Sequence, residues 1–243
     1  MNRILRIILI VLGIGLVMSY MVVMYHHVAI HADDEVCSGV RIQILDSTER
    51  TFISSREVMS LLRTKEMMPS GKKMTEVNCG EMEQMLRQQP VVRDAQCYTN
   101  TQNEVCIEIT QREPILRVIA DENYFVDTER HIIPVRANTA SYVVLASGRI
   151  GKEWATNELF DFAQYISEDE FWKAQIVQIY VRDKHNIELV PRVGSGVILL
   201  GGLDGYEKKL RKLQKLYDDG FSKIGWKDYK EIDLRYKGQV VCR

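Results

Sequence analysis

The chain has 243 residues, room for one large domain or two small ones, with 46% hydrophobic and 27% charged residues, the proportions of a folded chain and not a disordered one. Its 32 basic residues balance 33 acidic ones, for a formal net charge of −1. That balance offers no field for nucleic acid, and with no zinc-finger, RNP or Arg-rich signature, nucleic-acid binding is disfavoured.

The N-terminus carries the first strong signal. Ile7 to Met24 reads IILIVLGIGLVMSYMVVM, free of charge and extendable through Tyr25. A helix of that length nearly crosses the ~30 Å hydrocarbon layer, and snorkelling or slight thinning covers the shortfall. Arg3 and Arg6 precede it, whereas His26, His27, His31, Asp33, Asp34 and Glu35 follow, so the basic bias predicts a cytoplasmic N-terminus and an exported body. Ile7, Leu12, Leu16, Tyr20 and Met24 mark the expected anchor, after a cytoplasmic tail of residues 1–6 and before a linker of 26–36. The rival reading is a cleavable signal peptide. Its apolar core is normally shorter, and the best cleavage candidate, Ala29-Ile30-His31-Ala32, has isoleucine where a small residue is needed. The anchor is the favoured of the two.

Residues 37–112 read as a strand–helix–helix–strand–strand unit. Val40, Ile42 and Ile44 alternate with Arg41, Gln43 and Leu45 as in a half-buried strand. Ser54 and Glu57 have the spacing of a capping box, with Ile53 and Val58 placed as a hydrophobic staple; Leu61 and Leu62 continue the face. Asn78 with Glu81, and Val77 with Met82, repeat that start signal, Met85 and Leu86 keep helical spacing, and Pro90 stops the helix. Two alternating runs follow, each with one cysteine, and Arg112-Glu113-Pro114 leads into residues 113–243.

This second part is strand-rich. Strands are expected over Ile115–Ala120, Tyr124–Asp127, His131–Val135, Tyr142–Ala146, Ile176–Val181, Ile187–Val190 and Val197–Leu200. Ala155–Ile166 reads as a helix, and Ser167 with Glu170 repeats the capping-box spacing before Phe171 and Trp172. Tyr206–Tyr217 reads as an amphipathic helix with Leu210, Leu213 and Leu216 on its apolar face, and Lys230–Val241 as a closing strand. The fold class expected is α+β.

Chemistry is sparse. Gly194-Ser195-Gly196 and Gly201-Gly202 lack the context of a phosphate loop and read as turns. His26, His27 and His31 cluster without a scaffold to hold a metal in geometry. His131 and His185 sit at turns. No serine elbow occurs, and Asp218/Asp219 and Glu168/Asp169/Glu170 lie at helix ends where such runs are solvated. No catalytic residue, cofactor or metal is expected. The five cysteines, Cys37, Cys79, Cys97, Cys106 and Cys242, include no C-x-x-C and read as small apolar residues. Val105, Ile107 and Ile109 define a core face that turns Cys106 outward. A Cys97–Cys106 disulfide is disfavoured if Cys97 points inward, because side chains on opposite faces cannot bridge.

The order of these features resembles the FtsQ/DivIB family of bacterial cell-division proteins nearly end to end. The segments that carry the resemblance are "VRIQI", "QQPVVRDAQCY", "VCIEITQREPILRV", "YFVDTERHIIP", "NIELVPRVGSGVILLGGLDGYEKKLRKLQKLY" and "EIDLRYKGQVV". Departures are Val91, where the family often has tryptophan, Glu129-Arg130 in place of a glycine turn, and an individual loop from Met67 to Thr75. The resemblance implies a POTRA module (β-α-α-β-β), with Ala95 and Cys97 on the inward face of its second strand, followed by a mixed β-sheet domain with flanking helices. It further implies a non-enzymatic, single-pass scaffold of the inner membrane at the division septum. Its implied partners are bitopic proteins of the FtsB/DivIC and FtsL types, with other divisome components met through the POTRA module. It places FtsB-type docking at the terminal strand, here Lys230, Glu231, Ile232, Asp233, Leu234, Arg235 and Tyr236. A terminal strand is often a sheet edge that can accept a partner strand. The alternative is a membrane-anchored periplasmic enzyme acting on envelope polymers, which would need a deep pocket with convergent polar groups.

Overall fold

The computed structural model describes residues 3–32, 35–46, 52–135, 142–194, 196–221 and 229–243, with the side chains of 3–9 and 27–32 outside the description. The chain divides into two compact units. One comprises Met1–Leu45, Ser54–Gln89 and Asp94–Thr110; the other comprises Asp46–Ile53, Pro90–Arg93 and Gln111–Arg243.

The first unit opens with helix α1, Arg3–Ala32. Every described side chain from Ile10 to His26 is exposed, Leu12, Leu16, Tyr20 and Met24 among them. Among the described residues no helix is long and apolar enough to cross a membrane. The expected span of 7–25 begins before those side chains, and Ile7 lies outside them.

Strand β1 (Gly39–Ile44) is followed by helices α2 (Ser55–Thr64) and α3 (Cys79–Arg87), then strands β2 (Val92–Thr99) and β3 (Glu104–Gln111). The caps form as local chemistry requires. The Ser54 amide donates to Glu57 Oε2 at 2.7 Å while the Glu57 amide donates to Ser54 Oγ at 3.3 Å, closing a capping box. At α3 the Asn78 carboxamide oxygen accepts the Glu81 amide at 3.0 Å. Val58 and Leu62 of α2, with Met82, Met85 and Leu86 of α3, are buried. The sheet has the order β1-β3-β2, with β1 and β3 parallel.

The second unit holds a nine-stranded mixed sheet. Its strands are β4 (Pro114–Ile119), β5 (Asn123–Asp127), β6 (Ile132–Pro134), β7 (Val144–Gly148), β8 (Ile176–Asp183), β9 (Asn186–Pro191), β10 (Val197–Gly201), β11 (Glu231–Asp233) and β12 (Val241–Cys242). Their order is β12-β11-β10-β9-β8-β7-β4-β5-β6. The pairs β4/β7, β7/β8 and β10/β11 are parallel, and the others are antiparallel.

Helices α4 (Lys152–Thr156), α5 (Glu158–Glu168) and α6 (Glu170–Gln175) carry the chain from β7 to β8. The single helix expected over Ala155–Ile166 is instead broken at Asn157, whose ψ of −99° lies outside the helical range. The cap of α6 is Asp169, not Ser167: Asp169 Oδ1 accepts the amides of Phe171 and Trp172 at 2.9 and 3.1 Å. Helix α7 (Tyr206–Lys215) passes into a π-helical turn, Leu216–Phe221. The core brings Leu116, Val118, Ala146, Ile179 and Leu189 of the sheet together with Leu159, Phe162, Ala163 and Ile166 of α5 and Leu210 and Leu213 of α7.

Candidate functional site

The sequence-predicted docking segment, Lys230–Tyr236, lies where β10, β11, β12 and α7 meet. Ile232 and Leu234 are buried, which fixes the segment to the core. Strand β11 runs parallel to β10, with Val197 opposite Glu231 and Leu199 opposite Asp233.

The expectation of one long closing strand that forms the sheet edge is corrected here. Strand β11 ends at Asp233, the chain turns through Lys237-Gly238, and β12 returns antiparallel on its outer side. Gly238 has φ +77°, the left-handed conformation that a glycine adopts without strain. Lys237-Gly238 was the signal in the sequence that could have marked this reversal.

The hydrogen bonds define what remains outward. Glu231 donates to the Arg243 carbonyl at 3.1 Å and accepts from the Arg243 amide at 2.9 Å, so these two residues form a hydrogen-bonded pair. The neighbouring pair, Ile232 and Cys242, is therefore the other kind: Ile232 turns its main-chain groups toward β10 and Cys242 turns its N–H and C=O away from the sheet. Of the seven predicted residues, Lys230–Asp233 are covered on that side by β12, whereas Arg235 and Tyr236 stand beyond it.

Beyond β11 the chain is held by Asp233, which is 1% exposed. Its Oδ1 accepts the Arg235 amide at 3.0 Å and Arg235 Nε at 2.9 Å, and its Oδ2 accepts Arg235 Nη2 at 2.6 Å. The Arg235 guanidinium holds the Asp233 carboxyl below the usual carboxylate range, although burial opposes it. Lys212 of α7 donates to the carbonyls of Tyr236 (2.9 Å) and Gln239 (3.4 Å), fastening the loop between β11 and β12.

A second cluster was not legible in the sequence. Asp127, Glu129 and His131 present ligand atoms within 4.8 Å of one another, the geometry of a candidate metal centre. Arg112 fills it. Its Nη1 lies 2.7 Å from Asp127 Oδ2, 3.0 Å from Glu129 Oε2 and 2.9 Å from His131 Nδ1. The guanidinium is the cation of this group, and the cluster ties the residue after β3 to the β5–β6 turn.

A cleft of about 670 Å³ lies at the N-terminal ends of β4, β7 and β8, lined by the buried Pro114, Ile115 and Ile176. Its charged residues, Glu113, Glu168, Lys173 and Arg192, are all exposed at the rim, unlike the sequestered groups of a pocket built for acid–base chemistry.

Residues 35–110 match the model of a POTRA-like domain, so the helix-backed three-stranded sheet is of the POTRA class. Residues 113–243 match the model described as FtsQ/DivIB, C-terminal related. The second match alone covers more than half of the chain, and the protein belongs to the FtsQ/DivIB family. No curated protein matches it. Family membership makes its role one of divisome-scaffold type.

Proposed function

We propose that this protein is a non-enzymatic, single-pass membrane scaffold that joins cytoplasmic-side division proteins to septal peptidoglycan synthesis. Helix α1 is the anchor, with the N-terminus cytoplasmic and the body periplasmic at the septum. The exposed large apolar side chains along its described stretch, from Ile10 to Met24, support that placement, since such a surface is stable in lipid and costly in water. Bitopic partners of the FtsB/DivIC and FtsL types dock by strand addition at the corner built from Lys230–Tyr236 and β12, and the POTRA module meets other divisome components.

The observation that carries the docking reading is the outward main-chain pair of Cys242, backed by the buried segment Ile232–Leu234. The test uses the full-length protein in detergent with co-expressed coiled-coil partners. Deleting Glu231–Arg243 is expected to abolish partner capture and septation. Cys242→Pro removes the outward N–H while sparing the Glu231–Arg243 bonds, and is expected to weaken capture at least about tenfold with an unchanged melting temperature. Undiminished capture by Cys242→Pro and by the deletion would refute the docking reading.

A further inference from the structure

The thiols of the first unit are not scattered at random over its sheet. Alternation along β2 turns Ala95 and Cys97 toward the helices and leaves Gln96 and Tyr98 exposed. Cys106 lies on the other face of the sheet, beside Arg41, Tyr98 and Glu108, so Cys97 and Cys106 stand on opposite faces. Cys37 donates its S–H to the Gly39 carbonyl at 3.3 Å.

Cys97 meets the first turn of α3. Its Sγ lies 4.0 Å from Met82 Sδ, and its amide donates to Glu83 Oε1 at 2.8 Å. Met82 and Glu83 are three and four residues after Cys79, so Cys79 occupies the same helical face one turn earlier. The lengths agree. Between Cys79 and Arg87 the helix rises ~12 Å, and from Val92 to Cys97 the strand returns ~16 Å, which brings Cys97 back to the level of the helix start. Burial first, and the neighbouring Cys79 thiol second, push the Cys97 thiol well above its ordinary range.

We propose that Cys79 and Cys97 are a modification site: a dithiol that closes to an intramolecular disulfide and fastens the start of α3 to β2. The co-reactant is a disulfide donor of the thiol–disulfide exchange class. Cys79, the less buried of the two, attacks one sulfur of the donor as its thiolate, forming a mixed disulfide and releasing one donor thiolate. Cys97 then gives up its proton and attacks the Cys79 sulfur, releasing the second donor thiolate. Two protein thiols are oxidised, one donor disulfide is reduced, and the two protons leave with the donor. Occurrence in the cell rests on the proposed export of the body into an oxidising compartment.

The full-length protein, purified in detergent under reducing conditions, is equilibrated with excess oxidised glutathione, alkylated and digested for mass spectrometry. The expected product is a Cys79–Cys97 cross-linked peptide lighter by two hydrogens, with a melting temperature raised by about 6–12 °C. The cross-link persists in Cys106→Ala and is lost, together with the thermal shift, in Cys97→Ala. Alkylation of both thiols at an unchanged melting temperature, or pairing of Cys97 with Cys106, would overturn the proposal. Acid-trapping in cells before lysis separates the two readings. A cross-link that forms in vitro but is absent in cells refutes export and leaves the pair standing, whereas failure in vitro refutes the pair in any compartment.

Discussion

Gln111 is a buried polar residue whose removal has a calculable cost. It ends β3 and is 1% exposed. Its Oε1 accepts the amides of Phe52 and Ile53 at 2.7 and 3.0 Å, and its Nε2 donates to Asp46 Oδ1 at 3.0 Å. Phe52 and Ile53 are themselves 3% and 5% exposed, and Phe52 packs edge-on against Phe125 with ring centroids 5.6 Å apart. Gln111→Met keeps the volume but leaves two buried N–H groups unpaired, each costing about 1–3 kcal/mol. After partial relaxation the loss is about 3 kcal/mol, and the second unit melts about 6–12 °C lower. Amide hydrogen exchange at Phe52 and Ile53 gives the local reading, with both protected in the parent and released together in the variant. A loss within about 0.5 kcal/mol, with both amides still protected, would refute the clamp.

Two further outcomes follow from single atoms. Gly148 has φ +110°, and a Cβ there would lie 2.1 Å from the Val181 carbonyl oxygen, which already accepts the Arg149 amide at 2.8 Å. Gly148→Ala is expected to cost more than about 3 kcal/mol by separating β7 from β8, and a melting temperature within about 2 °C of the parent would contradict this. Asp233→Asn is expected to cost about 1–2 kcal/mol at neutral pH, discounted because the Arg235 side chain is half exposed. The Asp233 carboxyl is depressed in the folded state, so its contribution is present above the unfolded value near 4 and is lost as pH falls through the folded value. Denaturant titrations of parent and variant should therefore converge in acid; a gap independent of pH would count against an ionised Asp233.

What was legible in the sequence was local. Ser54 with Glu57 and Asn78 ahead of Glu81 are settled within one helical turn, and the buried faces of α2, α3 and α7 follow from their spacing. What was missed depends on partners far along the chain. Asp46 meets Gln111 across 65 positions, and Arg112 meets His131 across 19. The break at Asn157 leaves no composition signal, because Ala155 and Leu159 keep a helical apolar spacing through it. Asp169 displaces Ser167 as a cap since both suit the role, and tertiary placement of Trp172 decides between them. In the docking segment, the alternation of Ile232 and Leu234 identified a buried face but could not say which strand lies outside it. Strand order is set by register across the sheet and not by the pattern within one strand.

The two margins of the large sheet are narrow for different reasons. At one margin β6 ends in Pro134, which has no N–H to donate. At the other, the hydrogen-bonding alternation leaves Cys242 as the residue of β12 whose main-chain groups face outward. A long bare margin accepts an incoming strand in many equivalent alignments, including that of a second copy, and so invites filament growth. A margin one residue wide offers a single alignment and too few main-chain bonds to hold a chain by themselves. If a partner strand docks there as proposed, it must bring side-chain contacts of its own, so the choice of partner would depend on the partner's sequence.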